Sequence, residues 1–197
     1  MKKLLLFGGA FNPPHKGHAR LLESAIEAIQ PDVSLVLPTA VSPHKASGEI
    51  GFSHRYTMAK MALGLETVRF SGVENRGNKK RNYTIKTLKW LRKKYPGYEI
   101  YLVIGSDMLT SFTSWSRYHR IISMTTLVVA SREEDDFELQ EAISELRKQG
   151  AKILQITFEA IVISSSEIRQ LIKLGKDTSL YIEKSVKDYI DRNNLYS

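Results

Sequence analysis

Short runs that are apolar at nearly every position alternate along the chain with longer stretches whose apolar residues recur every three or four positions. The first kind, KLLLFG (3–8), VSLVLP (33–38), VRFSGV (68–73), EIYLVIG (99–105), TTLVVAS (125–131) and AKILQITF (151–158), predicts six strands. The second kind, HARLLESAIEAI (18–29), RYTMAKMALGL (55–65), YTIKTLKWLRKKY (83–95) and DFELQEAISELRKQG (136–150), predicts helices, and two more are expected over about 165–193. Strands lacking a polar face suit a parallel sheet covered on both sides, and their exchange with helices implies right-handed crossovers. The expected fold is a doubly wound, Rossmann-like α/β sheet, mostly parallel, with helices on both faces and one domain over residues 1–197. Such sheets bind ligands beyond the carboxyl ends of their strands, where strand order reverses. The loop after the first strand is therefore the first place to search. There is no internal repeat, low-complexity tract or linker; the candidate flexible segments are 39–53 and 74–82.

Composition narrows the class of partner. With 29 basic against 21 acidic residues the formal charge is +8, which favours anions such as nucleotides, nucleic acid or a membrane surface without choosing among them. The absence of cysteine excludes disulfides and thiolate metal sites and agrees with a reducing compartment. LLLF at 4–7 is too short for a signal sequence, and no later apolar segment is long enough for a membrane span. The reading is a cytoplasmic protein without a membrane partner.

The loop after the first strand reads GGAFNPPHKGH (8–18). Glycine and proline supply turns in any surface loop, but glycine also lets backbone approach phosphate closely, and the helix expected near Gly17 and His18 would aim free N–H groups at an anion. Neither GxxxxGK[ST] nor GxGxxG is present, which counts against a P-loop nucleotidase and an NAD-binding dehydrogenase. His15 and His18 lack the cysteine or acidic cluster that would complete a zinc site; flanking a helix start, they are suited to donate to phosphate oxygens. Near the other end, VISSSEIRQLI follows the sixth strand. Ser164 and Glu167 have capping-box spacing, which leaves Ser165, Ser166 and Arg169 available to a ligand. Arg169 stands early in its helix, where the macrodipole disfavours a cation unless an anion lies nearby. Two more loops follow strand ends, PTAVSPHK (38–45) and GSDMLTSFTSW (105–115). There Lys45 could meet phosphate, Asp107 ribose hydroxyls, and Trp115 could stack on a ring. NRGNKKR (75–81) reads as solvated surface or, more sharply, as an RNA-binding patch, although no recognised RNA motif accompanies it.

Taken together, these segments resemble the bacterial nicotinate-nucleotide adenylyltransferases, within the HxGH nucleotidyltransferase superfamily. GGAFNPPHKGH is similar to the family's GGxFxPxHxGH signature, and ISSSEIR to ISSTxIR with Ser166 in place of threonine. PTAVSPHK, NYTIKTL and IGSDMLTSFTSW fall in the family's order between them. The resemblance implies that Gly8, Gly9, Phe11, His15, His18, Ser164, Ser165 and Arg169 form the ATP site, with Asp107 at the adenosine. It places His44 and Lys45 near the reacting phosphates, Thr84 and Trp115 around the acceptor's pyridine ring, and Arg132 at a phosphate. His15, His18, Lys45 and Arg169 would be the catalytic set. The family usually has an acidic residue where Lys86 stands and a serine where Asn82 stands, and Glu133 replaces the Pro-Gly often found after Arg132.

The implied reaction transfers AMP from ATP to nicotinate mononucleotide, in NAD biosynthesis, with Mg²⁺ carried by ATP and no protein-bound metal. Two alternatives remain open at this point. One is adenylyl or cytidylyl transfer to another phosphorylated acceptor, such as nicotinamide mononucleotide or phosphopantetheine. The other is an RNA-binding protein built on the same scaffold.

Overall fold

The computed structural model describes residues 1–40, 50–76, 83–131, 137–157, 161 and 163–197. Six strands, β1 (Lys3–Gly9), β2 (Val33–Pro38), β3 (Val68–Phe70), β4 (Glu99–Gly105), β5 (Thr125–Ser131) and β6 (Lys152–Thr157), form one sheet in the order β3-β2-β1-β4-β5-β6. Every neighbouring pair is parallel. The expected doubly wound sheet is thus present. Its order reverses at β1, which pairs with β2 through Leu6 and Leu35 on one side and with β4 through Leu6 and Leu102 on the other. The crevice for a ligand opens where β1 and β4 end.

Because successive side chains of a strand point to opposite faces, each strand feeds two cores. Leu4 and Leu6 of β1 join the cluster under α3 (Thr84–Lys94) and α6 (Phe137–Lys148), with Leu88, Leu91 and Ile143. Leu5 and Phe7 join the opposite cluster, under α1 (Lys16–Ile29) and α2 (Phe52–Leu63), with Leu22, Ala25 and Leu63. Each such buried aliphatic side chain contributes about 1.5–3 kcal/mol, which explains why strands lacking any polar face are stable here. Helix α1 stops at Gln30, which turns left-handed (φ 49°) and bonds back to Ile26; Pro31 then cannot continue it.

A third cluster seats α7 (Ser165–Lys173) and α8 (Lys184–Arg192) against α2. Met58 packs there with Ile168, Ile182, Val186 and Ile190. This contact returns a segment far along the sequence to the rim of β1.

Two expectations need correction. Strand β3 ends at Phe70 instead of running to 73, because the Ser71 hydroxyl accepts the Val73 amide and a 3₁₀ turn, Val73–Arg76, follows. The segment 105–115 is not a plain loop: it forms α4 (Ser106–Thr110) and a 3₁₀ turn (Phe112–Ser114), with Leu109 and Phe112 buried beneath. The short α5 (Tyr118–Ile122) comes next and was not foreseen.

Candidate functional site

Beyond the ends of β1 and β4 lies a cavity of about 590 Å³. Among the expected site residues, Gly8, Gly9, Phe11, His15, His18, Thr84, Asp107, Trp115, Ser164 and Ser165 all line it. Arg169 is not among the lining residues: it is half-buried, its guanidinium donating to the Asn12 carbonyl (2.8 Å) and the Ser166 hydroxyl (3.0 Å). His44, Lys45 and Arg132, and Asn82 with them, lie outside the described residues.

The loop from Gly9 to His18 is built by close contacts. A Cβ on Gly9 would come within 2.9 Å of the Phe11 ring, and one on Gly17 within 2.9 Å of His15 Nδ1 and 3.3 Å of the Ile161 carbonyl oxygen. Phe11 is buried with φ 48°, a left-handed conformation that disfavours most side chains. Its ring meets His18 edge-on (5.2 Å, 71°) and Phe7 likewise (5.5 Å, 73°), so it fixes the position of the imidazole. The imidazoles of His15 and His18 lie with centroids 3.7 Å apart.

His15 adopts extended backbone at the N-cap of α1, and its amide donates to Nδ1 of His18 at 3.2 Å. A ring nitrogen that accepts carries no proton. The hydrogen-bond network therefore assigns the proton of His18 to Nε2. The first turn of α1 contains no acidic residue, so its positive end is left for an anion.

The start of α7 lines the cavity as well. There Ser164 accepts the Glu167 amide (3.2 Å) and Glu167 accepts the Ser164 amide (2.8 Å). The C-terminal region also grips the first loop directly. Ser165 donates to the Pro13 carbonyl (2.9 Å), Arg169 to that of Asn12, and the Tyr196 hydroxyl to the Asn12 side-chain oxygen (2.7 Å). The start of α1 is braced as well, since the Lys16 amide and ammonium donate to the carbonyls of Tyr181 and Ser179, both at 2.8 Å. Within that brace the Asp177 carboxyl sits below its ordinary pKa, chiefly because it accepts the Ser179 amide.

Trp115, which also lines the cavity, packs on Phe112 (5.0 Å) and remains half-exposed; Thr84, in the first turn of α3, lines it too. Lys86 lies outside the cavity, exposed with its ammonium over the Tyr83 ring. Glu74 and Thr87 also line the cavity, joined by a hydrogen bond of 2.7 Å.

Sequence reasoning missed Arg55 and Tyr196 as well as this Glu74–Thr87 pair. Arg55 carries a readable signal: it precedes Met58 and Ala59 by three and four positions and so shares their buried face. Tyr196 carries none, since its partner lies 184 residues away.

Among the described residues, no group of three or more His, Cys, Asp or Glu is placed to hold a metal, and no helix is long and apolar enough to cross a membrane. The cavity offers imidazole, hydroxyl and amide donors, a set suited to phosphate oxygens.

The cytidylyltransferase-like family matches residues 6–171. A relative named "probable nicotinate-nucleotide adenylyltransferase", from Syntrophotalea carbinolica, is 34% identical over 98% of this chain and 97% of its own. Among solved structures, Plasmodium falciparum nicotinic acid mononucleotide adenylyltransferase complexed with NaAD superimposes with a TM-score of 0.84 at 20% identity, covering 100% of this chain and 98% of that one. The same enzyme complexed with APC gives 0.81, at the same identity and coverage. At that identity the likeness is one of fold.

Proposed function

The chain belongs to the cytidylyltransferase-like family, and on that premise we propose that it transfers AMP from ATP to nicotinate mononucleotide, giving nicotinate adenine dinucleotide and pyrophosphate in NAD biosynthesis. One observation carries this reading of the site. The first turns of α1 and α7, from opposite ends of the sequence, line a single cavity that Trp115 and Thr84 line as well. That arrangement suits a triphosphate held from two sides next to a ring-bearing acceptor.

In the reaction, an oxygen of the acceptor's 5′-phosphate attacks the α-phosphorus of ATP. The bond from that phosphorus to the β-bridging oxygen breaks, and pyrophosphate leaves with the electron pair. A phosphate monoester with a second pKa of about 6 is already mostly dianionic at neutral pH, so no general base is required. The protein's work is alignment and donation to oxygens that gain charge. His18 would donate through Nε2–H, with His15 beside it and the Gly8–Gly9 backbone close to the phosphates. Ser164 would donate through its hydroxyl and Ser165 through its backbone amide at the start of α7. Arg169, expected at the ATP phosphates, would contribute by fixing Asn12 in the loop that leads to His15 and His18. Asp107 would meet the adenosine, Trp115 would stack on the pyridine, and Thr84 would contact it through its backbone. His44, Lys45 and Arg132 keep their expected roles at the phosphates.

Mg²⁺ would be carried in with ATP as part of the substrate, held by phosphate oxygens and water, and would supply charge neutralisation there, so the residues lining the cavity need not form a cage for it. We take residues 1–197 as one domain, because Tyr196 closes on Asn12, and place the reaction in the cytoplasm, where a cysteine-free chain is at home.

The test is pyrophosphate release from Mg-ATP with nicotinate mononucleotide, its amide or phosphopantetheine as acceptor. Release should be fastest with the nicotinate. A faster rate with another acceptor reassigns the substrate, and no release with any of them refutes the transferase reading.

A further inference from the structure

We propose that Arg55 is a positioning residue for adenylyl transfer, a peg that fixes the two loops after β1 and β2 from beneath; its link to catalysis rests on the function proposed above. Arg55 is 1% exposed, and among the described residues it is the bulkiest fully buried side chain. It points inward from α2 and donates to four backbone carbonyls: Ala10 (2.7 Å) and Thr39 (2.7 Å) through Nη1, Ala40 (2.9 Å) through Nη2 and Ile50 (3.3 Å) through Nε. These belong to the two loops and to the entry of α2.

A helix that needed only to pack would carry an aliphatic residue at this position, since burying a cation is unfavourable unless it is fully hydrogen-bonded. The planar guanidinium offers a fan of donors that one ammonium cannot reproduce. Arg55 does not line the cavity, but Ala10 and Thr39 do, and the Thr39 amide also donates to the Gly9 carbonyl (2.8 Å). Ala10 precedes Phe11, whose ring abuts His18. A shift of the Ala10 carbonyl therefore reaches the donor imidazole through one residue.

The experiment compares Arg55→Lys and Arg55→Met with Leu63→Ala, a cavity-forming control at the far end of the same helix. Unfolding temperature, kcat, KM for ATP and amide exchange in the ligand-free protein are measured where all variants are folded. Arg55→Lys should lower kcat roughly 30-fold or more, the scale expected of a small misplacement of reacting groups, with KM for ATP changed less than about threefold. Amide exchange at Phe11 and Thr39 should accelerate. Leu63→Ala should keep kcat and exchange in these loops near the parent values even if it melts lower. If Arg55→Met does not fold, Arg55→Lys decides alone. Parent-like kcat in Arg55→Lys overturns the role, as does an equal loss of activity in Leu63→Ala. Failure of Arg55→Lys to fold also overturns it, because the residue would then serve the whole fold. The exchange measurement needs no substrate, so a parent protein inactive with every acceptor defeats the proposed function while leaving the peg measurable.

Discussion

Helices α1 and α7 begin at the same cavity, and in both a side chain at N3 accepts the amide of the N-cap residue. In α7 that side chain is Glu167, whose negative charge also satisfies the positive end of its helix. In α1 it is His18, which accepts through Nδ1, brings no negative charge and keeps a donor on its outer nitrogen. One helix start is electrostatically complete by itself. The other is closed by a side chain that brings no negative charge. The two starts therefore differ at one equivalent position in the charge they present to the cavity, and under the proposed function the phosphates favour the start of α1.

The sharpest way to break this comparison is to make the two starts alike. His18→Glu would give α1 the same N3 carboxylate that α7 has, so melting should occur at the parent temperature or above it, while pyrophosphate release falls by more than the loss in His18→Ala. For His18→Ala itself, removal of one donor to developing charge predicts a loss in kcat of about 100-fold or more, with the circular dichroism spectrum unchanged. Arg169→Ala should come next, lowering kcat/KM on the order of 10-fold by freeing the Asn12 carbonyl and removing a cation. Steady-state kinetics over a range of ATP concentrations would check it. Ser164→Ala should act mainly on stability, by about 1 kcal/mol as for other N-caps, measured by urea denaturation, with a severalfold rise in KM for ATP. The smallest effect is expected on acidification. The Asp177 carboxyl has a lowered pKa in the folded protein, so its contribution is complete above the ordinary aspartate value and is lost as pH falls through the folded one. Amide exchange at Ser179 should rise as pH falls through that window, while the parent rate persists above it.

Much of the architecture was legible because the strands declare themselves. Pro38 and Gly105 end β2 and β4 where the apolar runs stop, and the β5 run coincides with its strand. The run after Val68 misled because Ser71 and Gly72 leave the sheet for a turn held by a side chain, a local competition that apolar counting does not see. The 105–115 segment misled in the opposite sense: its serines and threonines suggested a loop, yet Thr110 and Ser111 bond back to the Asp107 carbonyl while Leu109 and Phe112 bury themselves. The residues lining the cavity were legible where they sat in spaced motifs, as His15, His18 and Ser164 do. Arg55 was passed over because a charge on a helix suggests solvent, even though its spacing from Met58 and Ala59 pointed inward.

The hydrogen bond from Tyr196 to Asn12 sets an order of events during translation. Asn12 leaves the ribosome early, and the hydroxyl that binds its side chain follows 184 positions later. A nascent chain thus carries the first loop before the group that clasps it exists, and a chain not yet extended to Tyr196 should hold nucleotide more loosely than one in which that bond has formed.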